Sequence, residues 1–111
     1  MTPTDILTDI RYAMSDETGV RWVDAALRTY MYDAELKIVQ RHPESQYHTK
    51  VAAISTPTSL SSNDSSFTIG VRWRNAMIHY VAFRVFSEDA DDAANHKLAM
   101  EHFKLFEEAM A

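Results

Sequence analysis

Histidine is the residue type in this chain with the widest chemical range, since a neutral imidazole ligates metal ions and titrates near neutrality. There are five: His42, His48, His79, His96 and His102. A helical zinc site of the protease kind needs two histidines four apart with a glutamate between them, and no pair here has that spacing; His96 and His102 are six apart, on different faces of a helix. With no cysteine, a thiolate site and a disulfide are both excluded. No metal or cofactor is expected. Only two glycines occur, Gly19 and Gly70, too few and too far apart for a phosphate-cradling loop, and no serine sits in the strand-turn-helix setting of a nucleophile. Asp91 and Asp92 are adjacent, so a helix turns their carboxylates apart, and they read as charge at a helix N-terminus rather than an acid–base pair. Without a convergent nucleophile, base or metal set, the chain reads as a non-enzyme.

The aromatic residues carry more information. Trp22 stands just ahead of a helical pattern, where it suits a hydrophobic staple. Trp73 lies between Arg72 and Arg74, and both Trp and Arg are enriched at interface hot spots, so core and interface roles are both open. Met31, Met77, Met100 and Met110 read as core filler.

These side chains must be positioned by elements that the hydrophobic periodicity outlines. Thr2-Pro3-Thr4-Asp5 reads as a helix start, with Thr2 as N-cap, Pro3 where a missing N–H costs nothing, and Asp5 reaching back in a capping-box variant. Ile6, Ile10, Ala13 and Met14 then share one face, predicting a helix over about 3–14, ended by Ser15 to Gly19. Val23, Ala26, Leu27, Tyr30, Met31, Ala34 and Ile38 predict a second over 23–41, with Asp24–Arg28 and Asp33–Lys37 as i, i+4 pairs and Pro43 as its stop. A third, over 72–87, carries Trp73, Met77, Tyr80, Val81, Arg84 and Val85 on a stripe broadened by Ile78, Ala82 and Phe86, as a central helix would. A fourth, over 91–110, is capped by Asp89 or Asp91 and buries Leu98 or Ala99, His102 or Phe103, Phe106 and Met110. Between the second and third lies an arm, 44–70, without helical period. It is read as a long loop or a short β-hairpin from Tyr47–Ile54 and Ser66–Val71, joined by a polar Ser/Thr-rich stretch expected to stay mobile in the isolated subunit. The fold class is mainly α, one domain over 1–111, a four-helix bundle-like subunit with that excursion.

Charge is unevenly placed. The net charge is −5, and residues 1–86 balance nine acids against nine Lys and Arg; the excess lies in the last 25 residues, where seven acids face Lys97 and Lys104. Tight DNA binding is disfavoured, because it relies on clustered cations. No run approaches the roughly 18 apolar residues of a membrane span, and the start Met1 to Asp5 has neither the basic nor the apolar region of a secretory signal. The chain reads as cytoplasmic and untargeted.

Three stretches, Asp5-Ile6-Leu7-Thr8-Asp9-Ile10-Arg11, Gly19-Val20-Arg21-Trp22-Val23-Asp24, and His79-Tyr80-Val81-Ala82-Phe83-Arg84-Val85-Phe86-Ser87-Glu88-Asp89-Ala90 with Ala94-Asn95 and Phe103 following, resemble subunits of the head-tail connector (adaptor, or head-completion) proteins of tailed bacteriophages. The similarity spans both ends of the chain. It implies a helical subunit without catalytic residues that assembles as a homo-oligomeric ring, typically of twelve. Such a ring docks beneath the portal protein, extends the channel through which double-stranded DNA passes without specific binding, and receives the tail, nozzle or tail-terminator protein. The implied location is the neck of the virion, with the host cytoplasm as the site of assembly.

The resemblance gives the residues candidate roles. Tyr47, Leu60, Arg72, Trp73 and Arg74 become candidate interface residues on and at the root of the arm, which would order on a neighbour. Asp91, Asp92, Glu101, Glu107 and Glu108 become candidate channel-facing acids that keep DNA from sticking. Where longer relatives carry a more extensive β-containing insertion, only 44–70 remains here. The alternative reading is a small helical regulatory or DNA-binding module using Arg21, Arg28, Arg72 and Arg74.

Overall fold

Helix α1, Pro3–Met14, begins where the sequence signals it. The Asp5 carboxylate accepts the Thr2 backbone N–H at 2.8 Å and its hydroxyl at 3.3 Å, so the acid satisfies the cap residue in the reciprocal half of a capping box. A computed structural model describes residues 1–14, 22–46, 57, 59–88 and 93–111. Three further helices follow, α2 (Asp24–Arg41), α3 (Arg74–Glu88) and α4 (Ala93–Ala109), with 3-10 turns at Pro43–Gln46 and Val71–Trp73. The protein is mainly α-helical, and among the described residues there is no strand.

α3 is the central element: it packs against α1, α2 and most extensively α4. Its inner positions Ala76, Met77, Tyr80, Val81 and Val85 meet Ile6 and Ile10 of α1 and Leu27, Met31, Ala34 and Ile38 of α2 in one core, to which α4 adds Phe106 and Met110. The molecule measures 46 × 28 × 17 Å. Helices with side chains are about 10–12 Å across, so a slab this thin leaves outward helix faces that no described residue covers.

The acids of the i, i+4 pairs expected along α2 take hydrogen-bonded partners on other elements. Asp24 is held by Arg11 of α1 and by the Asn63 amide at 2.9 Å, and Asp33 by Arg84 of α3 at 2.9 Å. Arg84 also stacks over Tyr30, with its guanidinium carbon 4.7 Å from the ring centroid. Tertiary packing brings these charges closer than the local turn does.

The arm's returning half corrects two expectations. Ser66–Val71 alternates buried Phe67 and Ile69 with more accessible neighbours, the period that suggests a strand, yet it forms none. Its donors go elsewhere: Phe67 N–H to the Met1 carbonyl at 2.9 Å, and Thr68 N–H to the Glu35 carboxylate at 2.5 Å. Nor does this half wait for a neighbour to pack it. Asn63 accepts the Thr4 N–H (3.1 Å) and hydroxyl (2.9 Å) on its carbonyl and the Arg28 guanidinium on its side chain at 2.6 Å, joining the arm to α1 and α2. The proposed first strand, Tyr47–Ile54, lies outside the described residues, as do Asp89 and Asp91, the expected caps of α4.

Candidate assembly surface

Among the described residues, those with chemical range meet in pairs rather than in one cluster. His79 on α3 and His102 on α4 face one another, Nδ1 to Nδ1 at 3.2 Å, and Phe86 stacks on the His102 ring with centroids 5.7 Å apart. Burial depresses the basicity of both imidazoles, and the neighbouring His79 lowers that of His102 further. One neutral ring donates to the other, which spans the helix pair with a satisfied hydrogen bond. Among the described residues no three His, Asp or Glu side chains are grouped as a metal site requires.

His42 has a different task. It follows the last residue of α2, and its two ring nitrogens meet the Met110 carbonyl and, at 2.8 Å, the Glu44 carboxylate. The Met110 carbonyl first, then Glu44, favour the charged imidazolium and raise its pKa. The ring also lies 4.9 Å from that of Trp73, so His42 fastens the end of α4 to the end of α2 beside the start of α3.

Trp73 is 7% exposed and belongs to the core, with the Arg72 guanidinium over its ring at 5.4 Å. Of the two roles open to it in the sequence, the isolated chain shows the core one. Arg74 is ion-paired with Asp9 of α1, and Leu60 is half-buried against the core. Arg72 is exposed; Tyr47 lies outside the described residues. Of the four that are described only Arg72 is exposed, so these four do not form one exposed patch.

The candidate channel acids divide in the same way. Asp91 and Asp92 lie outside the described residues. Glu107 pairs with Arg41 at 2.8 Å across an open groove of about 410 Å³ whose floor includes Phe103 and Phe106. Glu101 and Glu108 are exposed on another flank of α4, and at 100° per residue Lys97 and Lys104 fall on that same flank. Two acids and two bases cancel there, so this flank of α4 is neutral.

What α4 does present is a second apolar stripe. Ala99, Phe106 and Met110 point inward, while Leu98 (37% exposed) and Leu105 (41%) lie outward with the exposed Ala94 and Ala109. Four residues at i, i+4, i+11 and i+15 stay within about a 60° sector of the helix. The sequence reading allowed Leu98 or Ala99 to be buried; the structure buries Ala99. The signal for the outer stripe was available, because Leu98 and Leu105 are seven apart, but it was absorbed into a single core-facing pattern. Among the described residues no helix is long and apolar enough to cross a membrane.

No family model, curated protein or solved structure matches this chain in the comparisons made.

Proposed function

We propose that this protein is a structural assembly subunit of a phage neck: a head-tail connector that forms a ring beneath the portal, of about twelve copies as the resemblance implies. The observation that carries this reading is the outer apolar stripe of α4, a helix whose inner face is already packed. An outward stripe of leucine and alanine on so thin a subunit suits burial against other copies or the portal. In this reading the ring extends the DNA channel and offers its lower surface to the tail protein, and duplex DNA passes without specific contacts. The neutral outer flank of α4 does not support channel lining by Glu101 and Glu108.

The regulatory or DNA-binding alternative has less support. Arg28 is engaged by Asn63 and Arg74 by Asp9, while Arg72 lies over Trp73. No recognition helix with free clustered cations emerges from these.

The test is the native mass of the full chain, alone and with its cognate portal ring, by native mass spectrometry. A stoichiometric ring on the portal is expected. A chain that ignores the portal and binds duplex DNA with a steep salt dependence would overturn the reading.

A further inference from the structure

The charges beside the outer stripe of α4 are arranged for a particular partner. Along one flank the order is Lys97, Glu101, Lys104, Glu108, and all four are exposed. Among the described residues none of the four has an ion-pair partner. Reversing a second α4 against the first places Lys97 opposite the other copy's Glu108 and Glu101 opposite its Lys104. The same antiparallel register sets Leu98 against Leu105 and Ala94 against Ala109. Its midpoint lies between residues 101 and 103, close to the centre of a helix running Ala93–Ala109, so the two helices overlap along nearly their whole length of about 25 Å.

The geometry points to a two-fold dimer of this chain through α4, with α4 antiparallel to its counterpart. Leucine and alanine form the seam, and four reciprocal Lys–Glu contacts set its direction. A parallel two-fold pairing would turn this flank toward the other copy's Asn95–His102 border and leave the four charges without opposite charges, so the Lys–Glu pattern selects the antiparallel order. On the other side of the seam, the half-buried His102 and Asn95 complete the border next to α3.

A two-fold contact uses the same patch on both subunits and closes on itself, whereas a ring joins unlike patches. The dimer therefore goes beyond the connector reading and does not depend on it. For a connector it would act as a holding state: the apolar stripe stays covered in the free subunit, and α4 must be released before a ring closes on the portal.

The experiment uses charge exchange in the full chain. Lys97→Glu with Lys104→Glu makes the flank wholly acidic; Glu101→Lys with Glu108→Lys makes it wholly basic. Both sets are at exposed positions, and circular dichroism checks that each variant keeps the wild-type helix content. By sedimentation equilibrium without portal, the wild type is expected to be a dimer, and each variant alone to dissociate with a constant at least about tenfold higher. An equimolar mixture of the two is expected to recover a dimer containing one of each, resolved by native mass. A wild type that is monomeric at the highest soluble concentration, or that forms rings unaided, overturns the proposal. So does a mixture that stays dissociated, or a wild-type dimer that both variants retain. Portal binding is read separately, so loss of the dimer with the portal ring intact leaves the connector reading standing.

Discussion

Glu35 and Thr68 are joined twice. The Glu35 carboxylate, only 1% exposed in the middle of α2, accepts the Thr68 backbone N–H at 2.5 Å and its hydroxyl at 2.9 Å, and the Thr68 hydroxyl in turn accepts from the Gln46 amide at 2.8 Å. A buried acid thus binds the returning arm to α2 and to the turn that ends it. Its position seats Phe67 and Ile69 on either side of Thr68 in the core.

Thr68→Val keeps the shape and the backbone donor but removes the hydroxyl from both of its bonds. One of these goes to a buried carboxylate, so the expected loss is about 1.5–3 kcal/mol in urea unfolding. A loss below about 0.5 kcal/mol would mean that the Thr68 hydroxyl adds little to the arm's other anchors, the Asn63 contacts, the Phe67 and Thr68 backbone donors and the buried Phe67 and Ile69 side chains.

Burial is the first influence on the Glu35 carboxyl and raises its pKa; the two Thr68 donors pull the other way without reversing it. A carboxyl raised in the folded state binds more protons folded than unfolded. Its stabilising contribution is therefore complete below the ordinary carboxylate pKa of about 4.3 and is lost as pH rises through the folded value. Glu35→Gln is expected to remove that slope while keeping an acceptor for Thr68. Unfolding free energies at a series of pH values for both proteins check this, and identical slopes would refute it.

Helix positions were legible in the sequence because the apolar residues repeat every three to four positions and the breaks are chemical. Thr2-Pro3 opens α1, and Pro43 falls immediately beyond the His42 cap of α2. Glu35 was not legible. A glutamate amid Asp33 and Lys37 reads as part of a solvated flank, and its burial depends on a threonine 33 positions away. The Ser66–Val71 reading failed for a related reason: alternation reports which side chains go inward, but a strand also needs a neighbouring backbone, and here the donors meet Met1 and Glu35 instead. The outer stripe of α4 was hidden by the assumption that one helix has one apolar face.

The histidines are expected to titrate in opposite directions. His79 and His102 are kept neutral mainly by burial, so their folded pKa values lie below the ordinary value of about 6.5 and that of His42 lies above it. For the His79–His102 pair, stability is complete above about pH 6.5 and falls as pH drops through that value toward the folded ones; for His42 it is complete below about pH 6.5 and lost as pH rises through its folded value. Proton NMR of the imidazole C–H resonances over a pH series separates them. Three curves superposed near the ordinary value would contradict both arrangements.

Trp73 separates packing from partner contact. At 7% exposure, with the His42 ring 4.9 Å away, Trp73→Ala opens a cavity where the ends of α2 and α4 meet the start of α3, and the expected cost is about 3–5 kcal/mol. Such a loss would impair any assembly, so a failed ring in this variant says little about an interface. Arg72 is the sharper probe. It is exposed, with its guanidinium over the Trp73 ring and its charge close enough to Glu44 to lower that carboxyl's pKa, so Arg72→Ala is expected to cost no more than about 1 kcal/mol in thermal unfolding. If Arg72→Ala keeps its melting temperature yet loses portal binding, the root of the arm is a contact surface and Trp73 is its support. If it keeps both, Arg72 is an ordinary surface cation and the interface must be sought elsewhere.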